Sequence, residues 1–95
     1  MINKDNSLRE AIEAWINHYR YQRKFDEEKA IEVWDSIVGP MIAQETEQIY
    51  IKNKTLVVKL RSQALKFELE YAKKKLISNI NRKVNHEVIN EINFI

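Results

Sequence analysis

The first part of the chain carries apolar residues at the spacing of one helix face. This stripe consists of Leu8, Ile12, Trp15, Ile16 and Tyr19. Ser7 and Glu10 stand where a capping box would begin a helix, because the Ser7 hydroxyl can accept from the third amide and the glutamate can reach back. We therefore predict a first helix from Ser7 to about Tyr21 or Gln22. Trp15 is predicted to lie in the core; the alternative is an exposed patch that contacts a partner.

A second stripe of the same kind follows after a polar break. It consists of Ala30, Val33, Trp34, Ile37 and Val38. Asp26 is the predicted N-cap of this second helix, and Phe25 before it is placed to pack on Ala30. Gly39 can end the helix with a left-handed residue, and Pro40 suits the first turn of a short helix that runs to Glu45. Trp34 is predicted to be a core residue.

The spacing of apolar residues then changes from the helical period to the alternation of apolar and polar residues that is typical of strands. Gln48–Lys52 and Thr55–Leu60 each have the pattern of a strand, and two residues, Asn53 and Lys54, separate them. Because asparagine tolerates a positive φ, this spacing predicts a tight antiparallel hairpin.

A long amphipathic helix is predicted after the hairpin, with Ser62 as its cap. Its apolar seam is Leu65, Leu69, Ala72, Leu76 and Ile80. Alternating residues over Val88–Phe94 then predict a third strand. Because a hairpin alone is marginal, this strand should join it beneath the long helix, in an α+β domain that spans residues 1–95. The strand–helix–strand arrangement resembles the KH-like folds used in nucleic-acid binding. Gly39 is the only glycine, so the G-x-x-G clamp of those folds is excluded.

Composition narrows the classes of function. The 95 residues include no cysteine, which excludes disulfides and thiolate chemistry. No phosphate-binding loop or dinucleotide fingerprint is present, and His18 and His86 lie far apart, so we predict ordinary histidines, no cofactor, no metal and no enzymatic activity. No apolar run is long enough for a membrane span, and the first residues lack a signal-peptide core, so we predict a cytoplasmic protein.

Charge is unevenly distributed along the chain. Residues 1–48 hold 6 Lys/Arg and 10 Asp/Glu, whereas residues 49–95 hold 10 Lys/Arg and 4 Asp/Glu. The basic half predicts a weak site for nucleic-acid phosphates, with Tyr50 able to stack on a base; the alternative is a solvated surface. The candidate residues are Lys52, Lys54, Lys59, Arg61, Lys66, Lys73, Lys74, Lys75, Arg82 and Lys83.

One ordered set of motifs is more specific than any element alone. Trp34 is followed by the apolar–glycine step at Gly39, by Ala43 and Thr46, by the strand Leu56-Val57-Val58, and by Ser62. The Glu68-Leu69 pair and the terminal Ile92-Asn93-Phe94 complete the order. Over residues 28–95 this order resembles the DciA family. Trp34, Gly39, Ala43 and Thr46 are the matching motif residues, and we expect their role to be mainly structural.

The resemblance implies an adaptor that has no ATPase of its own. Such a protein would bind the replicative helicase DnaB, and DNA weakly, to assist helicase loading or operation in bacterial DNA replication. Two other hypotheses stay open on the sequence. One is a stand-alone module that binds single-stranded DNA or RNA. The other is a dimeric scaffold that pairs through the face of Trp15 and Tyr19.

Overall fold

The computed structural model describes residues 4–95 and shows, within them, four helices and three strands. In chain order these are α1 (Lys4–Val38), α2 (Pro40–Glu45), β1 (Thr46–Lys52), β2 (Thr55–Leu60), α3 (Gln63–Glu70), α4 (Lys73–Val84) and β3 (Glu91–Phe94). The strands form one sheet in the order β1-β2-β3. The predicted mixed α+β class is therefore confirmed.

The hairpin forms as predicted, and the third strand is shorter than predicted. Asn53 and Lys54 have φ values of 50° and 60°, which makes a two-residue turn between antiparallel β1 and β2. Strand β3 pairs with β2 in parallel and begins at Glu91, not at Val88. The segment before it is held instead by Asn81, whose Oδ1 accepts from the backbone amides of Val88 and Ile89 at 3.0 and 3.1 Å.

The core lies on one face of the sheet. Leu56 and Val58 of β2 and Ile92 of β3 are each 0% exposed and pack against α1 and α4. Trp34 of α1 is 1% exposed, and its ring centroid lies 6.4 Å from that of Phe94. The prediction that Trp34 is a core residue is confirmed. Burial of Trp34 should contribute substantially to stability, since truncation of a core tryptophan costs about 3–5 kcal/mol.

The first two predicted helices are one helix, so the predicted break near residues 22–26 is wrong. Ser7 lies inside α1 and does not cap it. Asp26 is also internal; its buried side chain accepts a hydrogen bond from Gln22 Nε2 at 3.0 Å. Phe25 is exposed and does not pack on Ala30. The physical reason is that no glycine or proline separates the two stripes, so the polar residues between them continue the helix.

The predicted long helix is two helices. Ser62 caps α3 as predicted, accepting from the Leu65 amide at 3.2 Å. The helix then turns at Tyr71 and Ala72 before α4 begins. The turn lets α3 contact β2 while α4 packs against α1 and β3, which a single straight helix could not do.

Candidate nucleic-acid and partner surfaces

The ten candidate basic residues lie on separate surfaces. Because side chains alternate along a strand, Lys59 points to the sheet face opposite Leu56, Val58 and the helices. Lys52 shares that open face, and Lys54 lies in the hairpin turn beside it. The remaining residues lie on or beside α3 and α4: Arg61, Lys66, Lys73, Lys74, Lys75, Arg82 and Lys83. The structure therefore does not bring the hairpin lysines and the helix lysines into one site.

Three of the ten cations have partners within the protein. Lys59 Nζ lies 3.7 Å from a carboxylate oxygen of Glu47. Arg61 donates from Nη1 to the carbonyl oxygen of Gln44 at 2.7 Å. Lys73 is the most engaged, since its Nζ lies 3.0 Å from Glu70 Oε2, 3.9 Å from Glu91 Oε1 and 5.9 Å from the Phe94 ring centroid. These contacts make Lys59, Arg61 and Lys73 poor candidates for binding an outside phosphate.

The corner between α3 and α4 combines cations with exposed aromatic rings. We call Phe67, Tyr71, Lys74 and Lys75 the basic corner. Phe67 and Tyr71 are 66% and 82% exposed, and their rings contact edge to face with centroids 5.6 Å apart. Lys74 and Lys75 follow within four residues of Tyr71 and are both exposed. Exposed rings next to lysines suit a single-stranded nucleic acid, because bases stack on rings while lysines contact phosphates.

Lys74 and Lys75 occupy an electrostatically unfavourable end of their helix. They lie in the first turn of α4, where no acidic residue is present. The amino end of a helix carries a partial positive charge, so cations there destabilise by about 0.3–1 kcal/mol each. The same amides favour an anion, so two lysines and a helix amino end give positive potential here, which the Glu70 carboxylate, 3.0 Å from Lys73 Nζ, partly offsets.

Phe67 and Tyr71 were missed by the sequence analysis. The signal was present, because two aromatic residues four apart directly precede the lysine run. Once a single long helix is assumed, however, nothing distinguishes these rings from side chains of an ordinary helix surface. In the structure Phe67 lies on the outer side of α3 and Tyr71 lies at the turn that follows it.

The open face of the sheet is a second, smaller candidate. Tyr50 is 39% exposed and pairs across the strands with Val57, which in turn pairs with Asn93 of β3. Lys52 lies one position along the same face of β1. Glu91 and Glu47 also border this face, and Glu47 pairs with Lys59, so part of the positive charge of this face is neutralised.

The amino-terminal part of α1 projects away from the sheet. We call residues 6–20 the arm; all are exposed except half-buried Ile16. The molecule measures 65 × 21 × 19 Å as a result. Trp15 is 68% exposed, so the prediction that it is a core residue is wrong, and its ring stacks on Tyr19 with centroids 6.1 Å apart. The arm presents an apolar face of a kind that usually marks a protein interface.

The four motif residues connect α1, α2 and β1. Trp34 Nε1 donates to Thr46 Oγ1 at 3.1 Å, and that hydroxyl donates to the carbonyl oxygen of Ile42 at 3.0 Å. Gly39 has φ 86° and ψ 168°, and its carbonyl oxygen accepts from the Ala43 amide at 3.0 Å. Trp34 thus lies in the core, and the hydrogen bonds at Thr46 and Gly39 connect it to α2 and β1.

A cleft of about 240 Å³ lies where the arm joins the body of the protein. Asp26 and His86 face each other there, with Nδ1 and Oδ2 3.3 Å apart. Across residues 4–95, no group of three potential ligands among His, Cys, Asp and Glu could hold a metal ion.

Comparison with protein-family models gives a match over residues 7–94, to the family described as "Dna[CI] antecedent, DciA". A search of curated proteins gives no significant match. In the part of the chain that the structure covers, no helix is both long and apolar enough to cross a membrane.

Proposed function

Since this chain belongs to the DciA family, we propose that it is a non-enzymatic adaptor that binds the replicative helicase DnaB and, weakly, DNA. The observation that carries this proposal is the family match, which spans nearly the whole chain. Membership itself indicates a helicase-loader type of role in DNA replication. Such a role would place the protein in the cytoplasm, with the chromosome.

The basic corner is the proposed contact with DNA. Lys74 and Lys75 would contact backbone phosphates together with the first amides of α4, while Tyr71 and Phe67 would stack on bases of a single strand. The support for this assignment is that Lys74 and Lys75 form none of the ion pairs described within residues 4–95, unlike Lys59 and Lys73. An adaptor with one such corner would bind single-stranded DNA weakly and without strong sequence preference.

Complex formation with the helicase is the decisive test of the adaptor role. The full chain and the DnaB helicase of the same organism are mixed at micromolar concentrations and analysed by size-exclusion chromatography with light scattering. We expect a stable co-eluting complex. Separate elution of the two proteins throughout that range would contradict the adaptor role.

The DNA contact is tested with two double variants that remove the same charge from opposite ends of α4. Lys74→Gln with Lys75→Gln should weaken binding to a single-stranded oligonucleotide. It should also lower the slope of log affinity against log salt by about 1.4, because each single-strand phosphate contact contributes about 0.7. Arg82→Gln with Lys83→Gln is the matched control and should change the slope far less. Equal effects of the two pairs would refute a local site and indicate a diffuse charge effect.

A stand-alone nucleic-acid-binding module is the second candidate function. The specific observation that favours it is exposed Tyr50 beside Lys52 on the open face of the sheet. If this face binds a strand, Tyr50→Ala should lower affinity for single-stranded DNA or RNA while Tyr50→Phe retains most of it, since stacking contributes about 1–3 kcal/mol per base. Strong binding that depends on Tyr50, with no helicase complex, would favour this function over the adaptor.

A further inference from the structure

The apolar face of the arm is a continuation of the core face of α1. We call Leu8, Ile12, Trp15 and Tyr19 the arm stripe, which has a spacing of four, three and four. After a step of seven residues, or two turns, to Asp26, the same spacing leads through Ala30 and Val33 to Ile37. One side of a single straight helix is therefore covered by α4 and the sheet at one end and uncovered at the other. The four stripe residues are 64%, 49%, 68% and 54% exposed in chain order.

We propose that the arm stripe of a second copy of this chain covers this face, with the two arms antiparallel. The stripe has two aliphatic residues toward the chain start and two aromatic residues toward the body. Antiparallel pairing puts Leu8 opposite Tyr19 of the second copy and Ile12 opposite Trp15 of the second copy. Each large ring then packs against a smaller side chain, and the contact is the same on both copies, as twofold symmetry requires.

Parallel pairing is excluded by the position of the body. The core that covers Ala30 and Trp34 lies on the same side of α1 as the stripe. Two arms that ran in the same direction would bring both bodies into the same volume, and they would also oppose Trp15 to Trp15. In the antiparallel arrangement the two bodies lie at opposite ends of the paired helices.

The described part of α1 fits beside the body in the antiparallel arrangement. With Leu8 opposite Tyr19, Lys4 of the second copy, the first described residue of α1, lies at the level of Arg23. That is one turn before Asp26, the first buried residue of α1. The cleft of about 240 Å³ lined by Tyr19, Gln22, Lys54 and His86 lies at this level, so it can receive the Leu8 end of the second arm.

The residues that flank the stripe place no like charges against each other. In the same register, Arg9 lies beside Ile16 of the second copy, so its aliphatic stem can cover an apolar residue while the guanidinium stays in water. On the other edge, Ala11 lies beside His18 of the second copy, and the small side chain permits close approach. Glu10 and Glu13 lie away from the centre of the seam.

The expected interface is of moderate size. Burial of four large side chains on each copy, with their flanking residues, removes on the order of 1,000 Å² of surface in total, which is near the lower limit for specific association. We therefore expect a dimer that exchanges with monomer in the micromolar range.

Sedimentation equilibrium of the full chain at micromolar concentrations tests the dimer, and the fluorescence of Trp15 is a second readout. The expected result is a mass that doubles with concentration, together with a blue shift in the emission of Trp15 as it leaves water. Trp34 is already buried and should contribute a constant signal. Circular dichroism confirms that every variant is folded.

Two variants separate the stripe from the rest of α1. Ile12→Asp puts a charge in the seam and should weaken association at least tenfold. Tyr21→Asp is the matched control: Tyr21 is 82% exposed and lies about 200° around the helix from Tyr19, so this change should leave association unaltered.

The relative orientation of the two arms is tested by disulfide cross-linking. Only the introduced cysteines can react, because the chain has no cysteine of its own. Chains with Ile12→Cys and chains with Trp15→Cys are mixed and oxidised. Antiparallel pairing gives the mixed disulfide in preference to either homodimer. A chain that stays monomeric across the range, a dimer that survives Ile12→Asp, or a preference for the two homodimeric disulfides would each overturn the proposal. None of these outcomes depends on the helicase.

Discussion

Gly39 has a backbone conformation that other residues rarely adopt. A positive φ at this helix end is predicted from the sequence, and the observed φ is 86°. The observed ψ of 168°, however, differs from that of a left-handed helical residue. This region of backbone space is almost restricted to glycine. A Cβ built at Gly39 meets no atom within 4 Å, so any cost of substitution arises from the backbone itself.

Gly39→Ala should therefore lower the free energy of unfolding by about 1–3 kcal/mol. Urea denaturation followed by circular dichroism measures this change. Ser36→Ala, on the exposed side of the preceding turn, is the control and should shift stability by less than about 0.5 kcal/mol. A Gly39→Ala protein as stable as the control would mean that the junction relaxes to another conformation.

Thr46 matters because its hydroxyl is the partner of a buried indole. Thr46→Val keeps the shape but leaves Trp34 Nε1 without its acceptor, which should cost about 1–3 kcal/mol. Thr46→Ser retains the hydroxyl and should be affected less. Thermal denaturation of the three proteins provides the comparison, and equal stability of the Val and Ser variants would show that the hydrogen bond contributes nothing.

At the scale of elements, the start of α4 is less stable than it could be. Lys74→Glu with Lys75→Glu replaces two cations by anions at the positive end of the helix, so we expect the protein to become more stable by about 0.5–2 kcal/mol. If the basic corner binds DNA, the same change should abolish detectable binding to a single-stranded oligonucleotide. Denaturation and binding measured on one preparation test both effects, and a loss of stability would contradict the electrostatic interpretation.

Turns, caps and helix ends that are set by a few neighbouring residues could be predicted from the sequence. The Asn53-Lys54 turn, the Ser62 cap and the Gly39-Pro40 junction are decided within a few positions, and each is found where it was predicted. Asp26 shows the opposite case, because a residue suited to capping lies inside a helix, where Gln22 and the distant His86 contact its carboxylate.

The division of the predicted long helix also depended on packing. Ala72 continues the apolar spacing of α3 into α4, and nothing in the residue types of Tyr71 and Ala72 ends a helix. The turn arises because α3 and α4 lie against different strands. The aromatic half of the basic corner was missed for this reason, whereas its lysines were predicted.

At the scale of the whole molecule, the arm adds length but no core. None of residues 6–20 is buried, so the body should fold without them. A chain that starts at Arg20 should retain a cooperative unfolding transition and change its unfolding free energy by less than about 1 kcal/mol. The comparison with the full chain is made at a concentration where the full chain is monomeric. Loss of cooperativity would show that the arm supports the body.

The exposed state of the arm could not be predicted from its own residues. The spacing of Ile12, Trp15 and Tyr19 is the same whether the apolar face covers its own core or another molecule. The choice between a face that covers its own core and a face that covers another molecule depends on where the sheet and α4 lie. They contact α1 only on the C-terminal side of the arm.

The parallel pairing of β2 with β3 has a consequence for how the protein emerges from the ribosome. Residues 55–58 cannot complete their sheet until residues 91–94 have been translated. Until then the nascent polypeptide exposes Leu56 and Val58, both of which are fully buried in the finished fold. Closure of the sheet must therefore wait for residues 91–94, and a polypeptide truncated before Glu91 would expose this apolar surface and become a target for chaperones and proteases.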